Sequence, residues 1–203
     1  MSVASEDTEL SRADQRRAQV LDAAELCFGR SGFHGASMAD IAGEAAMSVG
    51  QIYRYFANKE AIIAAIVARD MENAVKLLNE VRAREPDEAE QIIELVRYKM
   101  AHMDDPVRAA LSLEILAEAA RNPKVAQILR EADEIGRTWL RETLQSRSVS
   151  GEFVEARMDM IALMVEGWTV RRVRSPDVDR DAYLASLRHM LTNLFSGAPG
   201  ACG

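Results

Sequence analysis

The chain has 203 residues, of which 48% are hydrophobic and 28% charged, and this balance is typical of a soluble globular protein. No apolar run approaches the roughly 20 residues that cross a membrane, the N-terminus is too polar and acidic for a signal peptide, and the two cysteines, Cys27 and Cys202, provide no disulfide framework. We therefore expect a cytoplasmic protein, whose net charge of −7 argues mildly against a nucleic-acid partner.

The N-terminal third predicts an arm and four helices. Residues 1–12 are polar and are expected to be flexible, and a first helix is predicted from about Ala13 to Ser31, ending before Gly32. Residues 37–60 predict two short helices joined by a tight turn, then the start of a long helix that runs to about Arg84. The residues placed to cap these three helices are Ser37, Ser48 and Asn58.

The second short helix has two distinct edges. Ile52 and Phe56 lie four residues apart and should be buried together, as should Ile41 and Ala45 on the helix before it. The side chains left pointing outward are Gln51, Arg54 and Tyr55. A short helix with a buried apolar edge and an outward polar edge suits the major groove of DNA.

Prolines divide the rest of the chain, because proline suits the first turn of a helix. They predict helices of about 86–103, 106–121 after a capping Asp105, 123–145 after a capping Asn122, and 176–195. A further helix of about 152–174 follows Ser150-Gly151, and the tail from Ser196 should be loose. No segment has the period of a strand, so the prediction is an all-α fold of about nine helices.

The stretch from Arg16 to Ile63 resembles the DNA-binding domain of the TetR family of bacterial regulators. The residues that carry the resemblance are Val20–Phe28, Gly32-Phe33, Ser37, Asp40-Ile41-Ala42, Ala45, Ser48, Gly50, Ile52–Phe56 and Asn58-Lys59-Glu60. Ala46 stands where the family usually has a glycine, and a left-handed backbone there would cost about 1 kcal/mol. Residues 113–123 also resemble a segment of the family's regulatory domain.

The resemblance implies a DNA-binding domain at residues 13–58, a ligand-binding and dimerisation domain at 59–196, and a tail at 197–203. Segment 11–60 has equal numbers of basic and acidic side chains, so binding would depend on cations that converge at the helix starts and the recognition helix. The candidate DNA contacts are Arg17, Ser37, Ser48, Gly50, Gln51, Tyr53, Arg54, Tyr55 and Lys59. Among them, Tyr53 and Lys59 match positions that usually meet phosphate, and Tyr55 could equally be packed.

The last two helices are predicted to form a dimer interface. Residues 161–165 are apolar on all sides, and a helix of that kind needs cover from two directions. In the family these helices pair with their two-fold mates, which sets the recognition helices about 34–36 Å apart. The interface candidates are Ile161, Val165, Leu184, Leu187 and Leu191, and the alternative is a monomeric core.

A ligand pocket between the middle helices is also implied by the resemblance. Its candidates are Tyr98, His102, Met103, Leu113, Trp139, Met164 and Trp168, although methionines and aromatics at helical spacing are more often core. Glu114, Glu118 and Arg121 are expected to form a solvated face. The three histidines are far apart and show no metal-ligand spacing, and no phosphate loop or nucleophile elbow is present, so neither a cofactor nor an enzyme activity is expected.

These observations predict a homodimeric, ligand-responsive transcription regulator. It is expected to be a repressor that binds double-stranded operator DNA and is released from it by a small hydrophobic or aromatic effector. Two alternatives stay open at this stage. One is an all-helical enzyme with a vestigial DNA-binding domain, which a convergent set of titratable residues would favour. The other is a ligand-independent architectural DNA-binding protein, which a regulatory domain without a cavity would favour.

Overall fold

The computed structural model describes residues 11–85, 87–145 and 154–196, and every regular element in these ranges is an α-helix. The helices are α1 (Arg12–Gly35), α2 (Met38–Glu44), α3 (Val49–Tyr55), α4 (Lys59–Arg84), α5 (Glu88–His102), α6 (Pro106–Ala119), α7 (Pro123–Gln145), α8 (Val154–Arg174) and α9 (Arg180–Ser196). The predicted all-α class is confirmed. Most of the predicted arm and the whole tail lie outside the described residues. No helix in the described ranges is long and apolar enough to cross a membrane.

The three predicted caps are present. The Asp40 N–H donates to Ser37 Oγ at 3.1 Å and the Ser37 N–H donates to Asp40 Oδ2 at 2.8 Å, which completes a capping box on α2. Asn58 Oδ1 accepts the Ala61 N–H at 2.8 Å and starts α4. Because each cap satisfies amides that the helix cannot, the starts of these helices are fixed by local sequence.

Gly32 ends the regular part of α1, as predicted. Its φ of 71° is left-handed, and one further turn continues to Gly35. A Cβ at Gly32 would lie 2.6 Å from Glu114 Oε1, which a flexible side chain can move away, so it is the left-handed backbone that requires glycine here.

Two of the four proline predictions are wrong in detail. Helix α5 begins at Glu88 with Asp87 as its cap, and Pro86 itself lies outside the described residues. Pro176 lies in a turn closed by a 3.2 Å bond from the Val178 N–H to the Ser175 carbonyl, and α9 starts only at Arg180. Proline suits the second position of such a turn as well as a helix start, so the residue alone does not distinguish them.

The buried side chains form two apolar clusters. The first core joins α1–α3 and the start of α4 to Leu111 and Ile115 of α6 and Val125 of α7. The second core is built from the end of α4, α5, α7, α8 and α9 and includes Trp139 and Trp168. Because the first core extends into α6 and α7, helices α1–α3 are packed directly on the helices that follow them.

The predicted interface residues of α8 and α9 lie in the second core. Ile161, Leu184, Leu187 and Leu191 are nearly fully buried within one chain, and Val165 is half-buried against them. This corrects the prediction that these side chains face a partner, because their cover comes from α5, α7 and each other. The outward faces carry a different set of exposed apolar side chains, which comprises Met160, Leu163, Val170, Val173 and Met190.

Candidate nucleic-acid interface and effector cavity

Helix α3 is anchored along one edge and open along the other. Ile52 and the C-capping Phe56 are buried in the first core, as predicted. The opposite edge presents Gly50, Tyr53 and Arg54 to solvent, and Tyr53 is 53% exposed. A Cβ at Gly50 would meet nothing within 4 Å, so the backbone is open to close approach here. A rigid helix with this open edge can enter a groove without rearrangement.

The turn between α2 and α3 contains a strained residue. Ala46 has a φ of 49°, and it is the only non-glycine residue with positive φ among those that the structure describes. Left-handed backbone costs an alanine about 1 kcal/mol relative to glycine. The surrounding core therefore holds the turn in a conformation that this side chain disfavours.

Two of the predicted base contacts have structural roles. Gln51 Oε1 accepts the Ser48 N–H at 2.8 Å while Ser48 Oγ accepts the Gln51 N–H at 3.2 Å, so these residues form the capping box of α3. This bond occupies one lone pair of the Gln51 amide oxygen and leaves the amide nitrogen to meet a base. Tyr55 is half-buried and packs against the first core, which favours packing over base contact for this side chain.

Two predicted DNA contacts, Arg17 and Lys59, bind backbone carbonyls of their own chain. The Arg17 guanidinium donates to the Tyr55 carbonyl at 3.3 Å and lies 4.7 Å from the Phe56 ring centre. The Lys59 ammonium donates to the carbonyls of Phe33 and, at 2.9 Å, Ala36. Arg17 and Lys59 therefore stabilise the end of α3 and the corner between α1 and α2. Substituting either residue would alter the fold as well as any contact with DNA.

Val49 was missed by the sequence prediction. It is 39% exposed at the first position of α3, one turn before Tyr53 on the same edge. The pattern that could have identified it is the four-residue spacing that also relates Gly50 to Arg54. An exposed aliphatic group on this edge can contact the methyl group of a thymine.

A cavity of about 780 Å³ opens between α4, α5, α6, α7 and α8. Its apolar lining includes Val67, Met71, Ile115, Leu116 and Leu129. Its volume lies within the range of small-molecule sites. A regulatory domain with such a cavity does not fit the architectural alternative, which required a fully packed domain.

The seven predicted ligand residues do not line this cavity. Trp139 and Trp168 are buried in the second core, where Arg82 lies 5.1 Å from the Trp139 ring centre and the Trp168 ring centre lies 4.9 Å from that of Tyr183. The other candidates are half-buried elsewhere on the helices, and these are Tyr98, His102, Met103, Leu113 and Met164. The helical spacing of the seven candidates is compatible with core packing as well as with a pocket. The two tryptophans are packed in the core.

Buried charges connect the cavity to α1. Glu25 of α1 is buried and accepts from Arg69 of α4 and, at 3.2 Å, from Arg108 of α6. Arg108 also lies 3.7 Å from Asp70 Oδ1, and Asp70 lines the cavity. Through Arg108 and Asp70, this cluster links the buried carboxylate of α1 to the lining of the cavity.

A second polar contact lies at the other end of α6. Glu118 is only 2% exposed and accepts from Asn122 at 2.9 Å and from Arg121 at 3.0 Å, and its Oε2 lies 3.0 Å from His34 Nε2. Burial alone would raise the pKa of Glu118, but these hydrogen bonds and nearby positive charges lower it overall. The predicted solvated face is therefore wrong for Glu118, because His34 and the end of α6 enclose it.

Comparisons with known proteins agree with this geometry. Residues 20–66 match the model of the tetR family of bacterial regulatory proteins, and residues 87–196 match that of the C-terminal domain of BetI-type transcriptional repressors. The chain belongs to the TetR family. It is a DNA-binding transcriptional repressor of that family.

Relatives of the whole length support the assignment. The HTH-type transcriptional regulator UidR of Escherichia coli K12 is 29% identical over 199 residues, which cover 95% of this chain and 99% of UidR. Salmonella enterica GusR is 28% identical with a TM-score of 0.77, and the match covers 94% of this chain and all of GusR. FadR from Bacillus subtilis, solved with stearoyl-CoA, shares the fold with a TM-score of 0.69 at 24% identity, over 89% of this chain and 98% of FadR.

Proposed function

We propose that this TetR-family protein represses transcription by occupying a palindromic operator as a homodimer, with α3 of each protomer in a major groove. The observation that carries the proposal is the open edge of α3, on which Val49, Tyr53 and Arg54 are exposed on a helix fixed by its capping box. Arg54 can pair with guanine and Val49 with a thymine methyl, while Tyr53 suits phosphate.

The dimer would form through the outward faces of α8 and α9 rather than through their buried leucines. Leu163, which also lines the cavity, is 66% exposed, and Val170 and Met190 are each close to half-exposed. Gly167 lies between Leu163 and Val170, and a Cβ there would meet nothing within 4 Å, so a second helix can approach closely. Exposed apolar side chains on the two helices are consistent with a subunit interface.

The cavity would control the operator affinity through α6. Among the described helices, α1 makes its most extensive contact with α6, and both ends of that contact are polar. An effector that binds better to a state in which α6 is displaced would favour that state. Because α1 packs on α6, α1 and α3 would move with it, and the spacing of the two recognition helices would change. A coupling of about 1–3 kcal/mol is sufficient for a useful loss of affinity.

A random-sequence DNA duplex library tests the proposal. Duplexes that the intact protein retains at physiological salt should contain two inverted half-sites whose centres are about one helical turn apart, because a two-fold dimer presents two α3 helices. Retained duplexes with a single unpaired half-site, or with no sequence enrichment, would contradict the proposal.

A further inference from the structure

Lys99 of α5 is a cation that lines the cavity beside both apolar and charged side chains. It lines the 780 Å³ cavity together with Met71, Ile115 and Leu129. Burial lowers the pKa of Lys99 more than the nearby carboxylate of Asp70 raises it. Within the described residues the Lys99 ammonium takes part in no hydrogen bond, and the carboxylate of Asp70 is near enough to act on it electrostatically.

The half-buried carboxylate of Asp70, which also lines the cavity, already has a partner. Asp70 lies 3.7 Å from Arg108, which in turn binds Glu25 at 3.2 Å. Ser112 of α6 adds a hydroxyl to the same cavity. Among the described cations that line the cavity, Lys99 is the one that makes no hydrogen bond, and an ammonium can bind only an acceptor.

The rim of the cavity carries both signs of charge. Arg137 donates to Asp159 and Glu155, each at 2.6 Å, and is thereby neutralised. Asp133 and Glu166 are exposed, as is Arg130, which donates to Gln127 at 2.7 Å. Exposed charges of this kind are screened by salt and water, so they influence a buried ligand group less than Lys99 does.

We propose that the effector is an amphiphile whose single carboxylate, or equivalent oxyanion, binds the Lys99 ammonium while its apolar body lies along α4, α6 and α7. This inference rests on the ligand response in the proposed function and specifies its chemistry. A charged acceptor forms a hydrogen bond roughly twice as strong as a neutral one, and a cationic head would meet Lys99 with the same sign. The effector, which the sequence predicts to be hydrophobic, is therefore expected to carry an anionic group at one end.

Three probes with unbranched apolar chains of nearly equal length and different head groups test the proposal on the intact protein. These are decanoate, decanamide and decyltrimethylammonium, used below their micellar concentrations in titration calorimetry. Decanoate should bind at least about tenfold more tightly than decanamide, the difference expected for one charge-assisted hydrogen bond. Equal affinities, tighter binding of the cation, or no binding of decanoate would overturn the proposal.

Substitution locates the effect. Lys99→Met should abolish the preference for decanoate and leave decanamide binding within about twofold, whereas Lys124→Met, an exposed change at the start of α7, should alter neither. A tenfold preference that persists in Lys99→Met would contradict the site. If Lys99→Met does not fold, the same titrations are made with Lys99→Gln, and proton uptake is measured on the unmodified protein. Decanoate should then draw in protons at alkaline pH, because an anion raises the lowered pKa of Lys99.

The same titrations separate this inference from the proposed function. Operator DNA retained without any probe supports the proposed function, and a lack of carboxylate preference in that protein rejects only the effector class. Failure to retain any duplex rejects the proposed function, and the calorimetric preference for decanoate is still measurable.

Discussion

Single residues of the DNA-binding domain were predicted well where the cause is local. Ser37, Ser48 and Asn58 cap helices because a hydroxyl or amide three residues before an amide N–H needs no distant partner. The burial of Glu118 could not be predicted in this way. Its position depends on His34, more than 80 residues earlier, which the packing of α1 on α6 brings within 3.0 Å.

The strained turn gives the first prediction. Ala46→Gly should raise the free energy of unfolding by about 1 kcal/mol, because glycine adopts the φ of 49° without the steric cost. Urea unfolding followed by circular dichroism measures the change. Gly32→Ala, the reverse change at a φ of 71°, should destabilise the protein, and a loss of stability in Ala46→Gly would contradict the interpretation of this turn.

The pH dependence of stability should report on Glu118. Its pKa is lowered from 4.5 in the folded protein, so its stabilisation is fully present above that pH and is lost as the pH falls through the folded value. Glu118→Gln should therefore destabilise the protein at neutral pH and cost progressively less in acid below about pH 4. Thermal melts across this range measure the difference.

The matched change Glu134→Gln, on the exposed side of α7, should leave the melts unchanged at every pH. A cost of Glu118→Gln that stays constant with pH would mean that the carboxylate charge does not contribute.

At the scale of helices, the contact between α1 and α6 depends on close approach. A Cβ at Gly29 would lie 2.7 Å from Val107 Cγ1 and 2.8 Å from the Val107 carbonyl oxygen. Gly29→Ala should therefore push α6 from α1 and lower the unfolding free energy by about 1–3 kcal/mol, as overpacking usually does. Urea unfolding measures this loss of stability. DNA titrations with and without an effector should also show that Gly29→Ala alters the effect of the effector on DNA affinity.

Gly136→Ala in α7 is the matched control, because its Cβ would meet nothing within 4 Å. That variant should be as stable as the parent or more so, since alanine favours a helix over glycine. Equal behaviour of the two variants would show that the α1–α6 approach is not tight in solution.

The boundaries of helices were predictable only where the local sequence is unambiguous. Asp105-Pro106 and Asn122-Pro123 start α6 and α7 as expected, with the capping oxygens accepting at 2.9 and 3.1 Å. Pro176 did not start α9, because Asp179 provides the cap and binds the Ala182 N–H at 3.0 Å. The choice between these positions depends on how α9 packs on α5, which a sequence pattern does not contain.

For the whole molecule, the sequence predicted which helices are apolar but not which side faces a partner. Leucines at three- and four-residue spacing satisfy an intrachain core and an intermolecular face equally well. The structure places Leu187 and Leu191 in the second core and leaves Val170 and Met190 outside. The missing information was the position of α5, which covers α9, and of α7, which packs on α8.

The exposed and the buried faces of α8 and α9 should respond differently to an introduced charge. The double variant Val170→Glu with Met190→Glu should yield folded monomers in sedimentation equilibrium, because it charges exposed positions only. Leu187→Glu should instead unfold the chain, because it buries an unpaired carboxylate. A parent protein that is monomeric at micromolar concentration, or a double variant that remains dimeric, would contradict the assigned interface.

The most direct test of the central claim is the affinity of Arg54→Ala for a duplex selected by the parent protein and for a scrambled duplex, measured by fluorescence anisotropy at one fixed salt concentration. Arg54 is exposed on α3, and we predict a loss of about 1–3 kcal/mol on the selected duplex, little loss on the scrambled one and an unchanged melting temperature. Tyr53→Phe should weaken both duplexes alike. Equal losses on the two duplexes for Arg54→Ala would contradict the claim that α3 reads the operator.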